Sequence, residues 1–305
     1  MSTNLELGGG APEQSLPCTP TLMNTENIQS MKIYALFTLA FIIGTTAYGQ
    51  VKVDANGSFF NYNGTKLYYE DTGTGQPLLL LHNFFNTADC WDPYIDQYSK
   101  EFRTIAVDMM GHGRSDIYRK DDSTFRHEEY AKMIFALLDS LQIDKVNGMG
   151  ASSGGSTLLY LNVMQPDRFK SVICVGGHLY YSKKGRVANA QLGMDQFREW
   201  ARNWGQSAEK QEYLAKMFRA MRHLSDADPS FTPDKLSTIE AKWLVVLGDN
   251  DFAIPVRQAM EMYEGIPNSR LWIVPNGNHL PHLEPEIQPE FLRVSMEFLT
   301  GKWDS

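Results

Sequence analysis

The chain has 305 residues, of which 43% are hydrophobic and 21% are charged, and its formal net charge is −8. This composition is typical of a globular protein that is long enough for one large α/β domain or two small ones. An acidic chain without clustered Lys and Arg is not expected to bind nucleic acid, because phosphate binding requires a basic surface.

The N-terminal region differs in composition from the rest of the chain. Residues 1–30 are polar and lack apolar periodicity, so we predict a disordered leader. Residues 31–49 have the pattern of a secretory signal peptide, with Lys32 before an apolar run at 33–44. That run is shorter than the roughly 20 residues of a membrane span, so we expect no stable span. The pattern predicts export to the periplasm or the cell exterior, with Met31 as a candidate start; a buried helix or an uncleaved anchor is the alternative.

A predicted β-hairpin opens the globular part of the chain. Asn63 and Gly64 lie between strand-like stretches at 59–62 and 66–70, and Asn-Gly supplies the positive φ angles of a two-residue turn. Short apolar runs then predict strands buried on both faces of a parallel sheet. These runs lie at 77–81, 104–107, 146–149, 171–176, 243–247 and 270–274, and helix-like runs lie at 127–141 and 157–163.

The alternation of strands and helices predicts an α/β fold with a doubly wound, mostly parallel sheet. About 60 residues separate two of the predicted strands, which is too long for a simple connection. Their apolar residues have helical spacing, so we predict an inserted helical cap at 177–242, with the core at 50–176 and 243–305. Cys90 and Cys174 lie in apolar surroundings, which favours buried free thiols rather than a disulfide or a metal site.

A serine motif stands between a predicted strand and a predicted helix. Gly150, Ser152 and Gly154 match G-x-S-x-G, in which a nucleophilic serine occupies a strained turn that tolerates only small neighbours. Moving the register to Ser153 would place Ala151 at a glycine position, so the pattern selects Ser152. The alternative is a glycine-rich helix entry that binds phosphate or merely turns.

A serine hydroxyl needs a base, which a carboxylate orients. Asp249 and Asp251 directly follow one predicted strand, and His279 and His282 follow the next. The order Ser, Asp, His along the chain is that of the α/β-hydrolase arrangement.

With these motifs the chain resembles the α/β-hydrolase fold superfamily, in its capped branch of serine esterases, lipases and haloperoxidase-like enzymes. The matching segments are 78–83, 108–116, the turn at Ser152, 248–255 and 277–286. The resemblance implies that Ser152 is the nucleophile, Asp251 the acid and His279 the base. It leaves structural roles for His112, His127 and His223, and a structural or pocket-rimming role for His282.

The resemblance also implies an oxyanion hole made by the backbone N–H groups of Phe84 and Ser153. The chain departs from the family pattern at Asn83, where glycine usually follows His82. Asn tolerates left-handed backbone angles, so the loop can keep its shape. Residues of this loop and the cap are expected to line the substrate site, with ordinary packing as the alternative. They are Asn83, Phe85, His178, Trp200 and Met217.

The function implied is hydrolysis of a small-molecule carboxylic ester through an acyl-enzyme, without a cofactor or a metal. Lactones, including macrocyclic lactone antibiotics, belong to this substrate class. A hydrolase of amides or carbon–carbon bonds, or a perhydrolase, is the alternative on the same residues. A binding protein that keeps the fold without turnover is the alternative from another class.

Overall fold

A computed structural model describes residues 57–118, 126–223 and 228–304. The predicted leader and signal peptide lie outside the described residues and stay predictions. Within the described ranges, no helix is long and apolar enough to cross a bilayer.

The core is an eight-stranded sheet with the strand order β1-β2-β4-β3-β5-β6-β7-β8. Its strands are β1 Gly57–Tyr62, β2 Thr65–Thr72, β3 Gln76–Leu81, β4 Phe102–Val107, β5 Val146–Ala151, β6 Phe169–Val175, β7 Lys242–Gly248 and β8 Ser269–Val274. Strands β3 to β8 are parallel to one another, whereas β2 is antiparallel to its two neighbours, β1 and β4. The predicted doubly wound, mostly parallel α/β fold is therefore confirmed.

The predicted hairpin is confirmed at the turn between β1 and β2. Asn63 and Gly64 have φ angles of 50° and 85°, and the residues on either side of them, Tyr62 and Thr65, are paired. Central strand β3 is fully buried from Leu78 to Leu81, as its continuous apolar run predicts.

Helices flank the sheet. They are α1 Asp92–Tyr98, α2 His127–Ser140, α3 Ser153–Met164, α4 Lys183–Ala190, α5 Met194–Asn203, α6 Ala208–His223, α7 Pro233–Leu236, α8 Val256–Gly265 and α9 Gln288–Leu299. Helices α4 to α7 lie between β6 and β7, in the stretch predicted to form a cap. We call residues 176–241 the inserted segment; the predicted domain boundaries stay predictions.

The parallel register places several loops at one edge of the sheet. Leu81 pairs with Gly150 at the ends of β3 and β5, and Ala151 pairs with Val175 at the ends of β5 and β6. The loops that follow these strands therefore leave from the same edge, where α/β sheets bind ligands.

Both predicted free thiols are confirmed. Cys90 and Cys174 are buried and unpaired. Burial raises the pKa of both thiols, because a thiolate is poorly solvated in the protein interior. Neither sulfur is a reactive thiolate at neutral pH.

Candidate active site

Ser152 occupies a strained turn between β5 and α3. Its backbone angles are φ 51° and ψ −111°, an unusual conformation for a residue with a side chain. Its N–H donates to the carbonyl of Val175 at 2.7 Å, which ties the turn to the neighbouring strand. The serine is partly exposed, so its hydroxyl is accessible at the carboxyl edge of the sheet.

The glycines on either side of Ser152 leave no room for a side chain. A Cβ atom on Gly150 would lie 2.6 Å from the backbone of Gly154, and one on Gly154 would lie 2.3 Å from the carbonyl oxygen of Leu81. The contacted atoms in both cases belong to the backbone, which cannot shift without disturbing the strand or the helix. The G-x-S-x-G spacing is thus required by close backbone packing.

Ser152 is the first member of a continuous hydrogen-bonded array. Nε2 of His279 lies 2.9 Å from Oγ of Ser152, and Nδ1 of His279 lies 2.7 Å from Oδ2 of Asp251. The structure thus brings together the predicted nucleophile, base and acid. The loops after β5, β7 and β8 each supply one of them.

The environment distinguishes Asp251 from the nearby Asp249. Asp251 is buried, and its Oδ1 accepts hydrogen bonds from the backbone N–H groups of Ala253 and Ile254 at 2.8 and 2.9 Å. Burial alone would raise the pKa of its carboxyl, but His279 and these hydrogen bonds outweigh burial and lower that pKa. Asp249 is exposed. Asp251 is therefore the ionised carboxylate that contacts the imidazole.

His282 does not contact the array. Its ring is fully buried, stacks on Trp91 at 5.1 Å between centroids, and has no hydrogen-bond partner for either nitrogen among the described residues. Burial, with a smaller contribution from His279, lowers the pKa of His282 to about 3. The neutral ring is a packing element.

The buried His282 predicts a specific loss of stability in acid. The unfolded chain takes up a proton near the ordinary histidine pKa of about 6.5, whereas the folded ring stays neutral until about pH 3. Stability from this group is therefore complete above pH 6.5 and falls as the pH is lowered, by about 2 kcal/mol at pH 5. His282→Phe should reduce the difference in unfolding free energy between pH 7.5 and pH 5 by that amount. Urea titrations at both pH values measure it, and an unchanged difference would contradict the assignment.

Two buried histidines support the loop that follows β3. His82 accepts from the N–H of Met109 at 2.8 Å, and His112 accepts from the N–H of Phe85 at 3.1 Å. Burial lowers the pKa of both imidazoles, so both act as neutral acceptors. His112 is structural, as predicted. The side chain of His223 is outside those described.

The structure corrects the expectation for Asn83. The left-handed residue of this loop is Phe85, with φ 73°, and not Asn83. The amide of Asn83 donates to the carbonyl of Phe84 at 3.0 Å and accepts from the amide of Asn86 at 3.0 Å. The asparagine thus braces the loop with its side chain, and the unusual backbone angle occurs where the N–H of Phe85 turns toward His112.

The predicted oxyanion donors lie on the two loops next to the nucleophile. Ser153 is the first residue of α3, and Phe84 follows the supported His82. From the inserted segment, Gln206 donates to the carbonyls of Phe85 and Asn86 at 3.1 and 3.0 Å. The loop is therefore held from both sides. The donor roles of Phe84 and Ser153 stay predictions.

The predicted substrate-binding residues fall into two environments. Phe85, Trp200 and Met217 are buried, and Phe85 contacts Trp200 edge-on at 5.7 Å between centroids. His178 differs, because its Nε2 atom is buried without a hydrogen-bond partner in the described part of the chain. Burial, and then the neighbouring His127 and His279, lower the pKa of His178 to about 3. Substrate contact by these side chains stays a prediction.

A second buried array, which the sequence did not reveal, lies behind the nucleophile. His127 contacts Asp228 through Nδ1 at 2.9 Å and Ser153 through Nε2 at 3.1 Å. Burial alone would raise the pKa of the Asp228 carboxyl, but His127 and the hydrogen bonds to the carboxylate lower it. His127 is fully satisfied, as expected for a structural histidine. Asp228 is 101 residues away in the chain, and no local pattern links the two.

The described residues contain no cluster of three or more His, Cys, Asp or Glu side chains able to hold a metal ion. The hydrogen-bonded serine, histidine and aspartate supply a nucleophile, a base and an orienting carboxylate.

Comparison with known proteins gives consistent results. The chain is 24% identical over 283 residues to the uncharacterized carboxylesterase nap of Bacillus subtilis, covering 87% of each chain. It is also 24% identical over 271 residues to a 2-hydroxy-6-oxo-6-(2'-aminophenyl)hexa-2,4-dienoic acid hydrolase of Metapseudomonas resinovorans, covering 81% of this chain and 91% of that one.

Among solved structures, the enol-lactonase of Burkholderia xenovorans LB400 superposes with a TM-score of 0.66 at 20% identity, covering 80% of this chain and all (100%) of that one. The sequence profile of the alpha/beta hydrolase fold family matches residues 76–231. That span contains the strained serine turn and most of the parallel sheet. The chain therefore belongs to the α/β-hydrolase fold family.

Proposed function

We propose that the protein hydrolyses a carboxylic ester through an acyl-enzyme on Ser152. The observation that carries the proposal is the unbroken array from Oγ of Ser152 through His279 to the buried Asp251. A serine hydroxyl is a poor nucleophile at neutral pH unless a base takes its proton, and this geometry supplies that base.

The first step is attack on the ester carbonyl. As Oγ of Ser152 bonds to the carbonyl carbon, its proton passes to Nε2 of His279. Asp251 keeps the other ring proton on Nδ1 and stabilises the imidazolium that forms. The negative charge on the former carbonyl oxygen would be met by the backbone N–H groups of Ser153 and Phe84.

Two products then leave in order, first the alcohol and then the acid. The alcohol leaves with the proton that His279 returns to it, and the acyl group stays on Ser152. Water then gives a proton to His279 and attacks the acyl carbon. The bond between that carbon and Oγ of Ser152 breaks, and His279 returns the proton to Oγ, which restores the serine. This sequence consumes only the ester and one water molecule.

Several observations support an ester or lactone with apolar groups as the substrate. Relatives and structural neighbours include a carboxylesterase and an enol-lactonase. Aromatic side chains of the inserted segment, among them Trp200, pack on Phe85 in the loop that also carries the predicted oxyanion donor Phe84, which favours apolar substrate groups. Lactones, including macrocyclic lactone antibiotics, belong to this class.

The test uses p-nitrophenyl acetate and butyrate, a panel of lactones that includes macrocyclic ones, and a serine-directed fluorophosphonate. We expect ester turnover with a burst of p-nitrophenol, and peptide mapping should locate the phosphonate on Ser152. Absence of both turnover and labelling would refute the proposal and favour a binding protein. Labelling at Ser152 with turnover of amides or of carbon–carbon bonds alone would select the alternative chemistry.

A further inference from the structure

We propose that Asp228, His127 and Ser153 form a positioning array, which holds the backbone N–H of Ser153 where the oxyanion develops. This inference rests on the proposed function, in which that N–H is a donor. It assigns the second Ser–His–Asp set a role in the reaction although none of its side chains touches the substrate.

The array is anchored at Asp228. Its Oδ2 accepts from the backbone N–H of His127 at 3.0 Å, and its Oδ1 accepts from the hydroxyl of Tyr160 at 2.9 Å. Helix α2 begins at His127 and has no side-chain cap of its own at Arg126. Asp228 therefore caps α2 from a distant part of the chain, where the helix dipole also favours its negative charge.

His127 transmits this anchorage to the nucleophile turn. The Asp228 carboxylate can only accept, so the contact at Nδ1 places a ring proton there. The other ring nitrogen, Nε2, is hydrogen-bonded to the hydroxyl of Ser153 at 3.1 Å. The ring also stacks on Tyr160, with an interplanar angle of 3°. The imidazole thus has one orientation, fixed on both edges and on one face.

The hydrogen bond between His127 and Ser153 matters because of where Ser153 lies in the chain. Ser153 directly follows Ser152 and is the first residue of α3, so its N–H points out of the helix start. Its hydroxyl is held by His127 while its carbonyl accepts from Thr157 at 2.9 Å. Fixing the side chain therefore fixes the first turn of α3 relative to α2.

Because it is buried, this array is not a second nucleophilic site. The side chains of Ser153 and His127 are buried at 3% and 0% exposure, whereas Ser152 is partly exposed. A substrate reaches Ser152 but not the hydroxyl of Ser153. The array can therefore act on the reaction only through the position of the backbone.

The array also links the nucleophile turn to Asp228, which lies in the inserted segment. Asp228 follows α6 and precedes α7, while Tyr160 belongs to α3. One carboxylate thus joins the start of α2, the middle of α3 and this connection. A shift of Asp228 would therefore move His127 and, through it, Ser153.

The experiment compares Ser153→Ala with Ser171→Ala, a matched control. Ser171 is also buried, and its hydroxyl donates to Asn147 at 2.7 Å, but it lies at the start of β6, away from the nucleophile. We expect Ser153→Ala to lower kcat for the ester about tenfold to a hundredfold, with KM changed less than about twofold. The inhibition constant of a boronic acid, whose adduct places an oxygen in the oxyanion site, should rise by the same factor.

His127→Asn provides an independent variant. Its amide can still donate to Asp228 but cannot reach Ser153, so it should reproduce the losses in kcat and boronic acid affinity. The double variant with Ser153→Ala should lose no more than either single variant, because both remove one contact. If Ser153→Ala does not fold, His127→Asn with the boronic acid carries the test.

The proposal is overturned if folded Ser153→Ala or folded His127→Asn keeps wild-type kcat and boronic acid affinity, whatever its melting temperature. Failure of the proposed function would show in a different sample: the wild-type protein would neither turn over esters nor react with the fluorophosphonate.

Discussion

Replacing Ser152 by Ala is expected to lower kcat for ester hydrolysis by about 10⁴- to 10⁶-fold, the range set by removal of a serine nucleophile elsewhere. The hydroxyl is the atom that forms the acyl bond, and no described side chain within the array can replace it. His279 and Asp251 would remain hydrogen-bonded to each other. The residual rate would come from substrate binding and oxyanion stabilisation alone.

The fold should tolerate this change. Ala is smaller than Ser, and the strained backbone is held by the hydrogen bond from the N–H of residue 152 to Val175, which Ala keeps. Circular dichroism and the melting temperature should therefore match the wild type, and kcat of Ser171→Ala should stay near the wild-type value. Full turnover by Ser152→Ala, or phosphonate labelling at another serine, would contradict the assignment.

The sheet was predictable because its strands are buried on both faces. Strand β3 is buried on both faces from Leu78 to Leu81, so those positions must be apolar, and they form a continuous apolar run in the sequence. The serine turn was predictable for a similar reason. Its backbone packs so closely at Gly150 and Gly154 that only glycine fits, which leaves a visible mark in the sequence.

Local propensity misplaced the start of α3. The sequence predicts a helix at 157–163, because Gly154, Gly155 and Ser156 are poor helix formers. The helix in fact begins at Ser153, directly after the strained turn. Close packing of the glycines against β3 and β6 outweighs their low propensity, so the helix start depends on tertiary contacts.

The second array was not predictable for a different reason. Histidine and aspartate are common on surfaces, and only the folded chain shows that His127 and Asp228 are buried together. The same holds for Phe85, whose left-handed backbone depends on the acceptor that His112 presents. Contacts between distant segments leave no periodic pattern, so motif and periodicity cannot reveal them.

Asp251→Asn is expected to lower kcat by about 10⁴-fold, the loss that the same change causes in another serine hydrolase. Oδ1 of Asp251 accepts two backbone N–H groups, from Ala253 and Ile254, so the oxygen of Asn must face them. The NH₂ group then faces Nδ1 of His279, which must become an acceptor. The ring proton moves to Nε2, so the imidazole can no longer take the proton of Ser152.

Asp249→Asn is the matched control. Asp249 is an exposed neighbour on the same loop, and its replacement by Asn removes the same negative charge. We expect it to keep kcat within about twofold, as a surface substitution away from the hydrogen-bonded array. Steady-state kinetics on p-nitrophenyl butyrate compare the two variants, with melting temperatures to confirm folding. Equal losses in both would show that charge on the loop, rather than the hydrogen bond to His279, sustains the rate. Loss in Asp249→Asn alone would transfer the acid role to Asp249.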